Sequence, residues 1–348
     1  MTRTVLDSLN AGLLQALGAD PNVVLLGEDI LDPYGGAFKV TRGCSTRYPQ
    51  QVLTTPISEA GLAGVAAGMA LRGLRPVVEV MFGDFTTLMA DQLVNHISKF
   101  RWMYNDSVAV PLVIRAPMGG RRGYGPTHSQ TLEKLFLGVP GLTVVAPNAL
   151  LPSGALEPGA QLARLILETD GPVLFIENKL QYLLPLRPES ELSDFTLREI
   201  YAADDPGKLF PVRTLEVAGA PAPTCTLTAY GYMSELCLQA LKILAFEYEI
   251  FCRLVVPGKL SPFETTVLAQ SVAETGRIVA VEEGTLTLGW GSEVLARLAE
   301  NPSVHMKLAA RLAARETPVP AAPTLEQATL PQVQDIINLV KRLAGRDD

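Results

Sequence analysis

Glu59 begins the most unusual helical segment of the sequence, TPISEAGLAGVAAGMALRG at residues 55–73. Ser58 is a candidate N-cap, and the first turn that follows is where a helix dipole favours a negative charge. A glycine inside a helix costs about 1 kcal/mol relative to alanine, so the glycines here indicate very close packing against another backbone. They are Gly61, Gly64 and Gly68. Two interpretations stay open: Glu59 caps a tightly buried helix, or it lies at a subunit or cofactor interface.

His128 is delivered by a glycine-rich loop, GGRRGYGPTHSQTLEKLF at residues 119–136. Loops that a rigid sheet presents at the carboxyl ends of its strands commonly carry functional groups. Of the three histidines in the chain, His128 is therefore the candidate for donating a hydrogen bond or a proton. The alternative is a structural histidine whose ring nitrogens are satisfied within the fold.

Two other strand ends carry side chains that could bind a ligand. The segment VEVMFGDFTTLMADQ at residues 78–92 brings Phe85 to the end of a predicted strand and places Gln92 on the helix that follows. Nearer the N-terminus, the apolar run VVLLGED at residues 23–29 ends in two acids, Glu28 and Asp29. In a parallel sheet, the carboxyl ends of the strands are the usual place for functional side chains.

Two blocks of alternating strand and helix patterns position these residues. Such alternation indicates a parallel sheet with helices on both faces, which is the α/β class. In the first block, strands are predicted at 23–29, 75–82, 110–117, 141–147 and 172–178, and helices at the N-terminus, from Ser58 and over 86–101. In the second block, strands are predicted at 224–231, 249–256 and 276–284, and helices at 233–249, 290–300 and 330–345. The predicted domains are 1–185 and 213–348, with a proline-bearing linker at 186–212.

Composition argues against several classes of protein. The formal net charge is -7 over 348 residues, whereas a nucleic-acid platform needs a basic face, so no nucleic-acid partner is expected. No apolar run reaches the ~18–20 residues that cross a bilayer, so no membrane span is expected. The four cysteines are scattered without zinc-type spacing, which fits a reducing compartment. The N-terminal segment lacks the tripartite order of a secretory signal, and the cytoplasm is the expected location.

Taken together, these segments resemble the β subunit of the pyruvate and branched-chain 2-oxo acid dehydrogenase (decarboxylating) components, within the wider transketolase-like family. The resemblance covers nearly the whole chain in order, and an ordered series is more specific than any single motif. It rests on LLGED (25–29), GGAFKVTRG (35–43), TPISEAGLAG (55–64), GLRPVVEVMFGDF (73–85), DQLVNHISK (91–99), THSQTLE (127–133), PGLTVVAP (140–147), GPVLFIENKLQY (171–182) and, more weakly, VEEG (281–284), GWGSEVLARL (289–298) and LEQATLPQVQDI (325–336). It implies a transketolase-like pyrimidine-binding domain with a parallel sheet, followed by a smaller α/β C-terminal domain.

The resemblance also implies thiamine diphosphate as the cofactor, shared with an α subunit that holds the diphosphate through magnesium. In the family, the diphosphate-binding segment of the α chain opens with Gly-Asp-Gly. This sequence lacks that motif; its nearest approach is Gly83-Asp84, which is followed by Phe85. A diphosphate needs a divalent ion with oxygen ligands on a glycine-rich loop. This chain is therefore expected to supply one end of the cofactor site and no metal ligand.

Residue by residue, the resemblance assigns Glu59 to a hydrogen bond with the aminopyrimidine ring nitrogen and Phe85 to stacking on that ring. Glu28 and Gln92 are placed with them among the cofactor-binding residues. His128 resembles the β-chain histidine that faces the reacting centre, so Glu59 and His128 are the two predicted catalytic residues.

The implied function is decarboxylation of a 2-oxo acid and transfer of the acyl unit to a lipoyl acyltransferase, in an α2β2 complex. A second interpretation is a split transketolase-like enzyme that moves a two-carbon ketol or acyl unit to another acceptor, such as an acyl carrier protein. A third, a non-catalytic scaffold, is disfavoured because Glu59, Phe85 and His128 are all present. The segments 156–172 and 253–264 depart from the family pattern, and no monovalent cation site is predicted in the first of them.

Overall fold

The computed structural model describes residues 3–205 and 207–346. Within them the chain forms two compact units. The first contains the described residues of Met1–Gly119, Leu135–Ala149 and Leu156–Leu186. The second contains those of Gly120–Lys134, Leu150–Ala155 and Arg187–Asp348. The loop that carries His128 therefore counts with the second unit, although its sequence position lies between strands of the first.

Strands and helices alternate along most of the chain. The strands are β1 (Val23–Gly27), β2 (Val52–Thr54), β3 (Arg75–Glu79), β4 (Val113–Met118), β5 (Thr143–Val145), β6 (Leu150–Leu151), β7 (Val173–Asn178), β8 (Arg187–Pro188), β9 (Phe195–Ile200), β10 (Val212–Val217), β11 (Cys225–Ala229), β12 (Cys252–Val256), β13 (Arg277–Thr285) and β14 (Leu308–Ala314). The α-helices are α1 (Val5–Ala19), α2 (Cys44–Arg47), α3 (Glu59–Leu71), α4 (Phe100–Met103), α5 (Pro158–Glu168), α6 (Tyr232–Tyr248), α7 (Thr266–Thr275), α8 (Trp290–Glu300), α9 (Pro323–Thr329) and α10 (Val333–Leu343). Within the described residues, none of the helices combines the length and the apolar character of a membrane span.

The first unit is built on a parallel sheet in the order β2-β1-β3-β4-β7-β5. Every residue of β1 and β4 is buried, as expected where both faces of a parallel sheet are covered. Because β2 lies on one side of β1 and β3 on the other, the direction of travel across the sheet reverses beside β1. Ligands of open α/β sheets bind at the carboxyl ends of the strands that flank such a switch point. The predicted α/β class and parallel sheet are confirmed.

The backbones of α1 and α5 are almost in contact. A Cβ atom on Gly12 would come within 2.0 Å of the Gly159 carbonyl oxygen, so no larger residue fits there. The Gly159 N–H donates to the Ser8 hydroxyl at 3.0 Å, and Pro158 occupies the first turn of α5, a position where proline is favourable. The unusual composition of residues 156–172 thus serves the packing of α5 on α1.

The segment predicted as a helix over 86–101 is helical but irregular. The chain forms a 3₁₀ helix at Gly83–Met89, a π-helix at Gln92–Ile97 and the single turn of α4. The Thr86 hydroxyl donates to the Gly83 carbonyl at 2.6 Å, and hydroxyl groups that bind nearby carbonyls compete with regular helix formation. The apolar spacing in the sequence therefore reflects the burial of residues on three short helical pieces, not one regular α-helix.

The second unit holds a mixed sheet in the order β14-β13-β11-β12-β10-β9. The first four strands are parallel, whereas β10 is antiparallel to both β12 and β9. The segment 186–212, predicted to be a linker, contributes β9, which pairs along the full length of β10. Phe195 and Leu197 are buried in β9 because one face of this strand packs on the core with a two-residue period. All four cysteines of the chain are buried and none forms a disulfide.

Candidate active site

Two buried carboxyl groups meet at the switch point of the first sheet. Glu28 follows β1 directly and Glu59 is the first residue of α3, with 4% and 6% of their surfaces exposed. The Ser58 N–H donates to Glu28 Oε1 at 3.3 Å, and the Ser58 hydroxyl accepts the Gly61 N–H and caps α3, as predicted. Burial raises the pKa of the Glu28 carboxyl, and the nearby Glu59 carboxylate raises it further, against the opposing effect of the Ser58 N–H. Glu28 is therefore suited to retain a proton beside the Glu59 carboxyl.

Phe85 and Gln92 lie on the two short helical pieces that pack against α3. Both residues are half-buried. The Phe85 ring stands edge-on to Phe82 with the ring centroids 5.8 Å apart, and Phe82 contacts Phe38 at 5.4 Å. The Gln92 Oε1 atom is buried and has no hydrogen-bond partner among the described residues. Because an unpaired buried oxygen is costly, a donor from outside the chain would be stabilising at this point.

These four residues of the first unit fit an aminopyrimidine ring chemically. A buried carboxyl that can retain a proton suits exchange with a ring nitrogen. An aromatic side chain suits a flat ring, and an amide oxygen can accept a hydrogen bond from an amino group. Within residues 3–205 and 207–346, no group of three or more His, Cys, Asp or Glu side chains is arranged to hold a metal ion.

A buried ion network that the sequence reasoning missed spans three neighbouring strands of the same sheet. Arg115 on β4 donates to both oxygens of Glu177 on β7, at 2.7 and 2.8 Å, and to Glu79 on β3 at 2.5 Å. The Tyr182 hydroxyl also donates to Glu177, at 2.5 Å. Burial alone would lower the pKa of the Arg115 guanidinium, but the carboxylates of Glu177 and Glu79 outweigh it and raise that pKa. Arg115 therefore stays charged in the interior of the sheet.

The sequence does carry a signal for this network. Each of the apolar runs PVVEV, VIRAP and FIEN contains one charged residue that a fully buried strand would not tolerate without a partner. The pairing of Glu79 with Arg115 follows only from the register of β3 against β4. The position of Glu177 likewise follows from the register of β7 against β4, which places Glu177 opposite Pro117 of β4. Neither register can be derived from strand patterns alone.

His128 lies in the second unit, on the loop that follows β4. It is half-buried, its backbone N–H donates to the Gly125 carbonyl at 3.3 Å, and its Nδ1 atom lies 2.9 Å from the Thr127 hydroxyl. The next residue, Ser129, is buried, and its hydroxyl has no partner among the described residues. The Thr127 hydroxyl thus orients the imidazole through Nδ1, and the catalytic role of His128 stays a prediction.

The same loop ends in a buried acidic cluster that the sequence reasoning also missed. Glu133 and Glu282 are fully buried; the Tyr230 hydroxyl donates to Glu133 at 2.6 Å and the Gly291 N–H to Glu282 at 3.1 Å. Burial first, and then the Glu133 carboxylate, raises the pKa of Glu282 to about 8. Burial likewise raises the pKa of Glu133. Glu282 is therefore mostly protonated at neutral pH.

The sequence and the fold match one protein family along almost the whole chain. Residues 2–183 match the transketolase pyrimidine-binding domain and residues 217–336 the transketolase C-terminal domain. A β-2 subunit of the mitochondrial pyruvate dehydrogenase E1 component from Oryza sativa subsp. japonica is 33% identical over 99% of this chain and 86% of its own. The corresponding β subunit from Homo sapiens is 32% identical over 97% of this chain and 90% of its own.

Among solved structures, one described as a split-gene transketolase, inactive β4 tetramer, superposes with a TM-score of 0.72 at 20% identity and covers 98% of both chains. At that identity the likeness shows the fold alone, and it agrees with the two-unit α/β architecture described above. The two domain matches, together with the plant relative and the human relative, show the family. The chain belongs to the transketolase-like family of thiamine-diphosphate enzymes, as a β subunit of the pyruvate dehydrogenase E1 type of 2-oxo acid dehydrogenase.

Proposed function

We propose that this β subunit acts with an α subunit, in an α2β2 complex, to decarboxylate a 2-oxo acid and pass the acyl unit to the lipoyl domain of an acyltransferase. The observation that carries the proposal is the pair of buried carboxyls, Glu28 and Glu59, at the switch point of the sheet. The relatives named for pyruvate support pyruvate or a close 2-oxo acid as the substrate. Thiamine diphosphate, when bound, supplies the electron sink for loss of carbon dioxide.

Glu59 would hold the proton that is exchanged with a nitrogen of the aminopyrimidine ring. Its carboxyl is buried at the start of α3, beside Glu28, whose pKa is raised. General acid–base catalysis by a positioned carboxyl contributes about 10² to 10⁴ in rate. Phe85 would contact the face of the ring, and Gln92 would accept a hydrogen bond at its unpaired Oε1.

The outer face of α3 supports an obligate partner chain. The buried face consists of Glu59, Leu62 and four alanines, while a Cβ atom on Gly64 or on Gly68 would meet no heavy atom of the described chain within 4 Å. Val65, between them, is 56% exposed. The glycines are therefore not required by packing within this chain. A face without side-chain volume lets another backbone approach closely, and we assign that place to the α subunit.

The α subunit would also hold the diphosphate through magnesium, since this chain lacks the Gly-Asp-Gly segment. His128 would serve the second half of the reaction, in which a proton or a hydrogen bond must reach the acyl acceptor. An imidazole oriented by Thr127 suits that task.

The test is reconstitution of this chain with an α-type subunit from the same source. With pyruvate, magnesium, thiamine diphosphate and a lipoyl domain, we expect acylation of the lipoyl domain by the complex and none by the β chain alone. In parallel assays, an acyl carrier protein or a sugar acceptor replaces the lipoyl domain. Turnover with a sugar or carrier-protein acceptor but none with the lipoyl domain would replace this proposal with that of a split transketolase-like enzyme.

A further inference from the structure

The loop that carries His128 is held by carboxylates from distant parts of the second unit. Glu326, on α9, accepts two backbone N–H groups of the loop: its Oε1 accepts that of Arg121 at 2.7 Å, and its Oε2 accepts that of Gly123 at 3.1 Å. Glu283, on β13, accepts the N–H of Gly120 at 2.8 Å. Three N–H groups within four residues are thus directed at two carboxylates.

The backbone of the loop explains why an anion is needed there. Arg121 has a φ of 69°, in the left-handed region that residues with a side chain adopt rarely. Successive N–H groups in such conformations converge and form a concavity that binds anions. Glu326 fills this concavity with only 4% of its surface exposed. Without its carboxylate, the N–H groups of Arg121 and Gly123 would lose their acceptor in a place with little access to water.

The side chain of Arg121 fastens the same turn to the residues that follow α9. Its guanidinium donates to the Gln332 side chain at 3.3 Å and to the Pro331 carbonyl, and it lies over the Tyr232 ring, 5.5 Å from the centroid. The turn has no space to shift toward this segment, because a Cβ on Gly120 would lie 2.7 Å from a methyl carbon of Leu330. The α9 region therefore holds residues 120–123 in one conformation.

We propose that Glu326 is a positioning residue for His128: it fixes the turn from which the histidine is presented to the acyl acceptor. The inference rests on the role proposed above for His128 in acyl transfer. Glu326 itself touches no reacting group in this account, and it acts only through the conformation of the loop. The competing explanation is that Glu326 merely stabilises the second unit.

Glu326→Gln tests the proposal in the reconstituted complex, with Glu300→Gln, an exposed glutamate on α8, as the matched control. Amide hydrogen exchange should speed up in a peptide covering residues 120–128 and stay unchanged in the strands of the second sheet. Acyl transfer to the lipoyl domain should fall by about 10²-fold, the loss typical of misplaced catalytic groups. Decarboxylation followed with an artificial electron acceptor should fall much less. The double variant with His128→Ala should lose no more acyl transfer than His128→Ala alone.

Unchanged exchange in residues 120–128, or losses that multiply in the double variant, would overturn the positioning role. If exchange instead rises throughout the second unit, the milder Glu326→Asp is measured, which keeps the charge and withdraws it by one methylene. A local rise confined to the loop then supports the proposal, and a global rise supports the purely structural explanation. If His128→Ala leaves acyl transfer intact, the assigned role of His128 fails, and the exchange data still decide whether Glu326 holds the loop.

Discussion

Glu28, which follows β1, and Glu59, at the start of α3, are two neighbouring buried carboxyl groups, and the pKa of Glu28 is raised first by its burial and then by the Glu59 carboxylate. Each residue comes from a different strand–helix unit of the first sheet, and the Ser58 N–H links Glu28 to the start of α3. The raised pKa favours a proton on Glu28 beside the Glu59 carboxyl. This is the chemical basis of the catalytic role assigned to Glu59.

Glu59→Gln should nearly abolish turnover of the reconstituted complex while leaving the fold intact. Glutamine keeps the shape and can still form a hydrogen bond, but it cannot exchange a proton, so a loss of about 10² to 10⁴ in kcat is expected. Steady-state kinetics and circular dichroism together check the prediction. Near wild-type turnover in a well-folded variant would remove Glu59 from the mechanism.

Arg115→Met should destabilise the chain strongly. Removing the guanidinium leaves Glu79 and Glu177 buried without their partner, and breaking a buried pair in this way costs about 3–5 kcal/mol. The control is Arg164→Met, which breaks the exposed pair with Glu168, a change expected to cost about 0–1 kcal/mol. Denaturant unfolding of both variants gives the comparison. Equal free energies of unfolding would show that the network contributes little.

Within the described residues, the sequence predicted five of the six strands of the first sheet and three of the six strands of the second, because these are short apolar runs that alternate with helices. It did not predict β2, whose three residues include two exposed ones, since so short an edge strand has no recognisable pattern. It also treated β9 as linker, because the prolines and acids around it hide the alternation of Phe195 and Leu197. Pairings set by sheet register, such as that of Glu79 with Arg115, require the three-dimensional structure.

Of the candidate site, the sequence indicated Glu59 through its capped helix, and it indicated His128 through its loop. Assigning Phe85 to a ring, and Glu28 and Gln92 to the same site, depended on the family resemblance. What neither source could supply is the anchoring of the His128 loop, because Glu283 and Glu326 lie more than 150 residues further along the chain. Contacts of that separation leave no local pattern in the sequence.

Glu282→Gln should flatten the dependence of thermal stability on pH. The pKa of Glu282 is raised from 4.5 to about 8, so the folded chain holds this proton more tightly than the unfolded chain does. The contribution of Glu282 to stability is therefore fully present below about 4.5 and is lost as the pH rises toward about 8. Melting temperatures measured across that interval should fall less in the variant than in the wild type. Identical slopes would contradict the assigned protonation.

Gly64→Leu should leave the isolated chain at least as stable as the wild type and should weaken its assembly with the α subunit. The added side chain meets open space in this chain, and a helix gains up to about 1 kcal/mol when glycine is replaced. Gly138→Leu, a second position where a Cβ meets nothing within 4 Å, is the control away from α3. Sedimentation velocity of the mixed subunits reports assembly. Normal assembly of the Gly64 variant would exclude this face of α3 from the interface.

We propose that this chain holds only one end of the cofactor site, and calorimetric titration with thiamine diphosphate measures this most directly. In the presence of magnesium, the purified β chain should show no saturable binding, and the same chain mixed with its α subunit should bind with a defined stoichiometry. The same mixture prepared with the Glu59→Gln variant shows how much this β-chain residue contributes to cofactor binding. Saturable binding at micromolar concentration by the isolated β chain would show that one chain is sufficient to hold the cofactor.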